Sequence, residues 1–172
     1  MLKKTCLFLL AVLFQVLIVA AVPGKQIYAR MTGRLITIKT APVDPYNILS
    51  GYYVRLSYQI SRPPQEISMQ DMSEIPVYVV LKEDPNKVWI IDSVNTQPPA
   101  GVPLDKILIR GMATCTRIEY GIESYYIPED KRQTIEHDLR NNRDKTYAQI
   151  KVDKFGNAAL VNLRIGDTIY EY

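Results

Sequence analysis

Few side chains in this chain could do covalent or proton-transfer chemistry, and their spacing is informative. Ser50 and Ser57 lie in one Tyr-rich stretch. Either could act as a nucleophile if a desolvated lysine stood within hydrogen-bond reach to take its proton. The two cysteines are Cys6 and Cys115, and the one histidine is His137. Cys115 has no histidine near it in sequence and reads as a small buried hydrophobe. His137 stands in Glu136-His137-Asp138, where neighbours on a helix point to different sides, so a solvated helical histidine is expected rather than a metal ligand. Glu119 and Glu123 share one face of an alternating strand with Tyr125, and Glu129 and Asp130 are adjacent. Such pairs could serve acid–base work, but a wet sheet face explains Glu119 and Glu123. No catalytic, metal or cofactor-binding residue is assigned on this basis, and no cofactor is expected.

Composition narrows the class. The 172 residues are 47% hydrophobic and 23% charged, which fits one folded domain and excludes a disordered tail or a multi-span membrane protein. Two cysteines, one of them in an apolar run, offer no disulfide within the domain. Setting aside Lys3 and Lys4 leaves 19 basic against 18 acidic side chains without a basic run, so nucleic acid is not an expected partner.

The elements that must position these residues are mainly strands. Apolar residues beyond Val22 recur with period two. Arg34–Ala41 alternates, and Tyr52–Ile60 does so most clearly, with Tyr52, Val54, Leu56, Tyr58 and Ile60 on one face and Tyr53, Arg55, Ser57 and Gln59 on the other. Pro76–Leu81 and Lys87–Ile91 read as a hairpin around Glu83-Asp84-Pro85-Asn86. Lys106–Thr116 and Arg117–Ile127 follow, each with an internal Gly. Lys131–Arg140 is the single convincing helix of the domain, with acidic residues at its start and Arg140 near its end. Lys145–Val152 and Ala158–Ile165 form a second hairpin around Asp153–Asn157, and Thr168–Tyr172 is a last short strand. Ser61–Ser73 and Gln97–Pro103 are the longest irregular loops. The expected fold is mostly β, a small single-domain barrel or open sandwich of about eight strands with one short helix. Twelve tyrosines against three Phe and one Trp suit a sheet. Tyr53, Arg55, Tyr125 and Tyr126 could also form a recognition surface.

Ahead of the domain, Cys6–Val22 carries no charge and one polar side chain, Gln15. With its flanks, residues 5–22 reach the length of a membrane-spanning helix, about 20 apolar residues. Residues 1–23 are therefore expected to be an amino-terminal transmembrane anchor, and 24–172 the β-rich domain. A cleaved signal peptide ending near Val19-Ala20-Ala21 is the competing reading. Lys3 and Lys4 favour an inside amino terminus, while Lys25, Arg30, Arg34 and Lys39 follow the span. The expectation is a single-pass protein of the cytoplasmic membrane with its domain on the extracytoplasmic, periplasmic side.

Several blocks resemble one family. Gly33-Arg34-Leu35-Ile36 runs into Ala41-Pro42-Val43-Asp44-Pro45, followed by Ser50-Gly51-Tyr52-Tyr53-Val54-Arg55-Leu56-Ser57-Tyr58. Tyr126-Ile127-Pro128-Glu129 and Asp153…Gly156-Asn157-Ala158 come later in the same order. Together they resemble the GDYXXLXY family of bacterial membrane-anchored proteins, over roughly Gly33 to Asp167. Gly51, Tyr53, Leu56 and Tyr58 match the motif, and Tyr52 stands where the family has Asp. The resemblance implies membrane anchoring and no assigned activity. A non-catalytic accessory or interaction module of the bacterial cell envelope is expected, held in the membrane by residues 5–22 and bound to another envelope or membrane protein. Pro45 to Val54 is also distantly similar to the nucleophile region of signal peptidases, which keeps a membrane-anchored hydrolase as the alternative. The places of that nucleophile hold Pro42 and Val43. The motif itself reads as a turn at Gly51 feeding a core strand.

Overall fold

The computed structural model describes residues 2–41, 49–50, 53–62, 74–126 and 128–171. Helix α1 runs over Leu2–Thr32 and continues through Pro23. Proline supplies no N–H to the helical ladder, so the turn before it lacks a backbone bond there. The helix thus extends nine residues past the expected domain boundary. Its described apolar side chains as far as Val19 are exposed, Phe8, Leu9, Leu13, Phe14 and Val19 among them. Among the described residues no helix is long and apolar enough to cross a membrane; the described side chains of α1 begin at residue 8 and are interrupted at 17 and 20–22.

The last turns of α1 are docked on the domain. Ala29 is fully buried, Gln26 Nε2 donates to the Gly121 carbonyl at 3.2 Å, and Lys151 Nζ donates to the Arg30 carbonyl at 2.8 Å. Gly33 closes the helix into the first strand. A Cβ there would lie 2.4 Å from the Ala29 oxygen and 2.9 Å from the Val152 backbone, so only glycine fits this approach.

Beyond it lie β1 (Arg34–Ala41), β2 (Leu49–Ser50), β3 (Tyr53–Arg55), β4 (Ser57–Tyr58), β5 (Ile75–Glu83), β6 (Trp89–Asn95), β7 (Lys106–Ala113), β8 (Ile118–Glu119), β9 (Ser124–Tyr126), α2 (Arg132–Asn141), β10 (Thr146–Val152), β11 (Ala158–Ile165) and β12 (Thr168–Glu171). They form three antiparallel sheets, ordered β12-β11-β10-β1-β4, β6-β5-β7-β8 and β2-β3-β9. Among the described residues none closes on itself, so of the two expected forms the barrel is corrected to open sheets, and the mostly β class stands. One core draws on all three sheets, including Ile36, Ile38, Val54, Val79, Ile109, Ile150 and Leu163. Ile135 of α2 joins it, as the apolar stripe of a short amphipathic helix should.

Both expected hairpins are present. In the β5–β6 turn Asp84 Oδ1 accepts the N–H groups of Asn86 and Val88, both at 2.8 Å. In the β10–β11 turn the buried Asp153 accepts from the Phe155 and Asn157 N–H groups at 2.8 and 2.9 Å. These are local carboxylate-to-backbone bonds, which is why the turns were legible. Two single strands were not. The stretch Tyr52–Ile60 is divided into β3, β4 and a 3-10 turn over Gln59–Ser61. Arg117–Ile127 is broken at Gly121, whose φ of +77° turns the chain between sheets. Glu129 and Asp130 fall in a 3-10 turn ahead of α2, so the expected acidic start is absent from its first turn. At the other end Arg140 pairs with Glu136 one turn back, at 2.6 Å. The loop Ser61–Ser73 lies mostly outside the described residues, and Gln97–Pro103 is irregular as expected.

Candidate functional site

The motif strand runs against the segment 118–126. Val54 pairs with Tyr125 in the small sheet, and the Leu56 N–H donates to the Glu123 carbonyl at 2.7 Å where β3 gives way to β4. Two tyrosines then close the contact reciprocally. The Tyr58 hydroxyl donates to the Ile122 carbonyl at 2.5 Å, and the Tyr120 hydroxyl donates to the Ile60 carbonyl at 2.6 Å. Each gives a donor to a carbonyl outside the strands, Ile122 between β8 and β9 and Ile60 in the 3-10 turn. Burial, with the charge of Glu123 adding, pushes both hydroxyls well above their ordinary range, so both stay protonated. Glu123 itself accepts the Tyr120 N–H. Leu56 and Tyr58 are core residues.

The rest of the expected site divides differently. Gly51 and Tyr52 lie outside the described residues, as do the side chains of Ser50 and Tyr53. The Tyr53 backbone pairs with Tyr126. Arg55 is exposed and reaches Glu119 at 3.5 Å, while Arg117 holds the same carboxylate oxygen at 2.6 Å. Tyr125 does not belong to the recognition surface drawn from the sequence. It is 1% exposed, and its neighbour Tyr126 is 59% exposed. Ile118, Tyr120 and Ile122 are buried as well, so the inward parity shifts by one between Ile122 and Tyr125. The cause is the break at Gly121, which puts β8 and β9 in different sheets. Tyr120 is the residue that sequence reading missed. Its acceptor lies sixty residues away, and no local pattern marks such a pairing.

The match with known proteins bears on this strand. A family model for the GDYXXLXY protein covers residues 15–163. The chain belongs to the GDYXXLXY family. That match takes in the second half of α1 as well as the domain. No curated protein matches the chain, and neither does any solved structure. In this GDYXXLXY chain the two described motif side chains, Leu56 and Tyr58, are structural: one packs, the other clasps.

Groups that could act on a substrate are dispersed. Ser57 is half-buried in β4, paired through Ala41 to β1. Cys115 is exposed, correcting the expected buried hydrophobe. His137 is exposed on α2, with Asn141 Nδ2 at 2.8 Å from its Nε2. Among the described residues no three His, Cys, Asp or Glu side chains are grouped to hold a metal. A cleft of about 380 Å³ lies between α1 and the sheets, lined in part by Lys25, Gln26, Arg110, Tyr120 and Asn157. Its size is that of a small-molecule site, yet these residues include no nucleophile beside a base.

Proposed function

We propose that this GDYXXLXY protein is a membrane-anchored, non-catalytic interaction module of the bacterial cell envelope. The observation that supports the reading is the first part of α1: among its described side chains, Phe8 to Val16, Ile18 and Val19 are exposed and apolar except for Gln15. A helix hydrophobic all round belongs in a core or in lipid, and residues 5–22 are long enough for lipid. The domain stands on the extracytoplasmic side and binds another envelope or membrane protein through the face that carries Tyr53, Arg55 and the exposed Tyr126.

Cys115 provides the test of topology because it is exposed in the domain. A membrane-impermeant maleimide should label it in intact spheroplasts, and Cys115→Ser should abolish the signal. Labelling only after lysis would place the domain in the cytoplasm and end this reading. Intact mass starting at Val22 would establish a cleaved signal peptide in place of the anchor.

A further inference from the structure

We propose that the β10–β11 turn is a second membrane contact, in which Lys154 and Phe155, with Tyr28 of α1, rest on the anionic headgroup layer of the bilayer that α1 enters. This rests on the reading of residues 5–22 as a span. The turn lies back along α1 toward that span. Lys151 is bonded to the Arg30 carbonyl, the Phe155 ring stands 6.1 Å from the Tyr28 ring, and Gly156–Ala158 share a cleft with Pro23 and Lys25. Tyr28 follows Val22 by six residues, about 9 Å along a helix rising 1.5 Å per residue. The polar layer on each side of the hydrocarbon is about 5–8 Å thick, and a typical tilt of about 20° toward the hairpin lowers the turn further. The aromatic pair therefore stands at the outer edge of the headgroups.

The residue chemistry agrees with that depth. Phe155 is 54% exposed at the tip of a turn that is held by its Asp153 bonds and by the Gly156 carbonyl, which accepts the Arg110 N–H at 2.8 Å, so the ring is not what fastens the turn to the domain. Aromatic rings collect at the membrane–water boundary. Lys154 Nζ lies 5.0 Å from the centre of the Phe155 ring, and Lys25 and Arg30 are on the exposed surface of the adjoining helix. These cations suit an anionic leaflet. The turn's carboxylate, Asp153, is buried and directed at its own backbone and the Asn157 amide, so it does not oppose them.

The test uses the full chain reconstituted into phosphatidylcholine–phosphatidylglycerol vesicles. Phe155→Trp adds one indole to the single native Trp89, which is buried and reports folding. The added emission should be shifted to the blue, and lipids brominated near the headgroup should remove most of it. Vesicles without phosphatidylglycerol should weaken that loss. Lys154→Cys in a Cys115→Ser background, carrying an environment-sensitive dye, should show the same quenching should Trp disturb the turn. Emission that stays red and unquenched in protein resisting carbonate extraction would overturn the second contact and leave the anchor standing. Protein released by carbonate would overturn the anchor, and this contact with it.

Discussion

Tyr58 and Tyr120 each give a buried hydroxyl to a carbonyl more than fifty residues distant, and this makes them the most testable residues in the domain. Tyr58→Phe keeps the ring but orphans the Ile122 carbonyl, at a cost of about 1–3 kcal/mol. Urea melts of Tyr58→Phe, Tyr120→Phe and the double variant should show a coupled pair, since both hydroxyls hold the same two segments together. Leu56→Ala should cost about 2–5 kcal/mol. Arg55→Ala should stay within about 0.5 kcal/mol, because its partner Glu119 keeps Arg117 and the site is exposed. The clasp also sets a pH dependence. Both hydroxyl pKa values are raised in the folded state, so the unfolded chain loses these protons first. Stability is then fully present below about pH 10 and falls above it, by about 1.4 kcal/mol per pH unit for each tyrosine still protonated when folded. Tyr170, pushed up to about 12 by burial and by its bond to Asp138, acts in the same direction. Replacing Tyr58 with Phe should make the alkaline decline in melting temperature shallower.

Two elements owe their form to glycines. The segment 118–126 serves two sheets because Gly121 adopts a positive φ, while β8 pairs with β7 and β9 with β3. Gly121→Ala meets open space, so its cost is purely conformational, about 1–2 kcal/mol. Its chemical denaturation midpoint should fall with an unchanged slope. Gly33→Ala is a different case, since its Cβ would collide with the Ala29 oxygen and the Val152 backbone. The helix–strand joint must then open, and hydrogen exchange should rise at the end of α1 and in β10, beyond the turn itself.

At the scale of the molecule, the docked end of α1 makes the helix part of the domain as well as its leader. A chain beginning at Pro23 keeps the burial of Ala29 and the bonds to Gly121 and Lys151. One beginning at Arg34 loses all three and uncovers part of β11. Thermal melts of the two should separate by several degrees, with the shorter chain less stable. Equal melting temperatures would mean that α1 contributes nothing to the domain's stability.

Much of this protein was legible residue by residue, wherever the determining interaction is local. The β5–β6 and β10–β11 hairpins follow from Asp84 and Asp153 bonding backbone two to four residues on. The inward face Val54, Leu56, Tyr58 and Ile60 follows from strict alternation, which survived even though the strand changes sheet at Leu56. Family membership was legible for the same reason: matching blocks in order need no fold to be seen. The rest depends on partners distant in sequence. Alternation cannot say whether strands close into a barrel, because closure depends on which edges pair. It does not show that Gly121 breaks a continuous strand, so it points Tyr125 outward where the structure turns it inward. It could not show that α1 continues past Pro23 onto the sheets, since the docking uses a carbonyl from Gly121 and an amine from Lys151. Nor could it match Tyr120 with Ile60. Sequence determines where a side chain can point along its own strand; only the meeting of distant segments decides what it meets there.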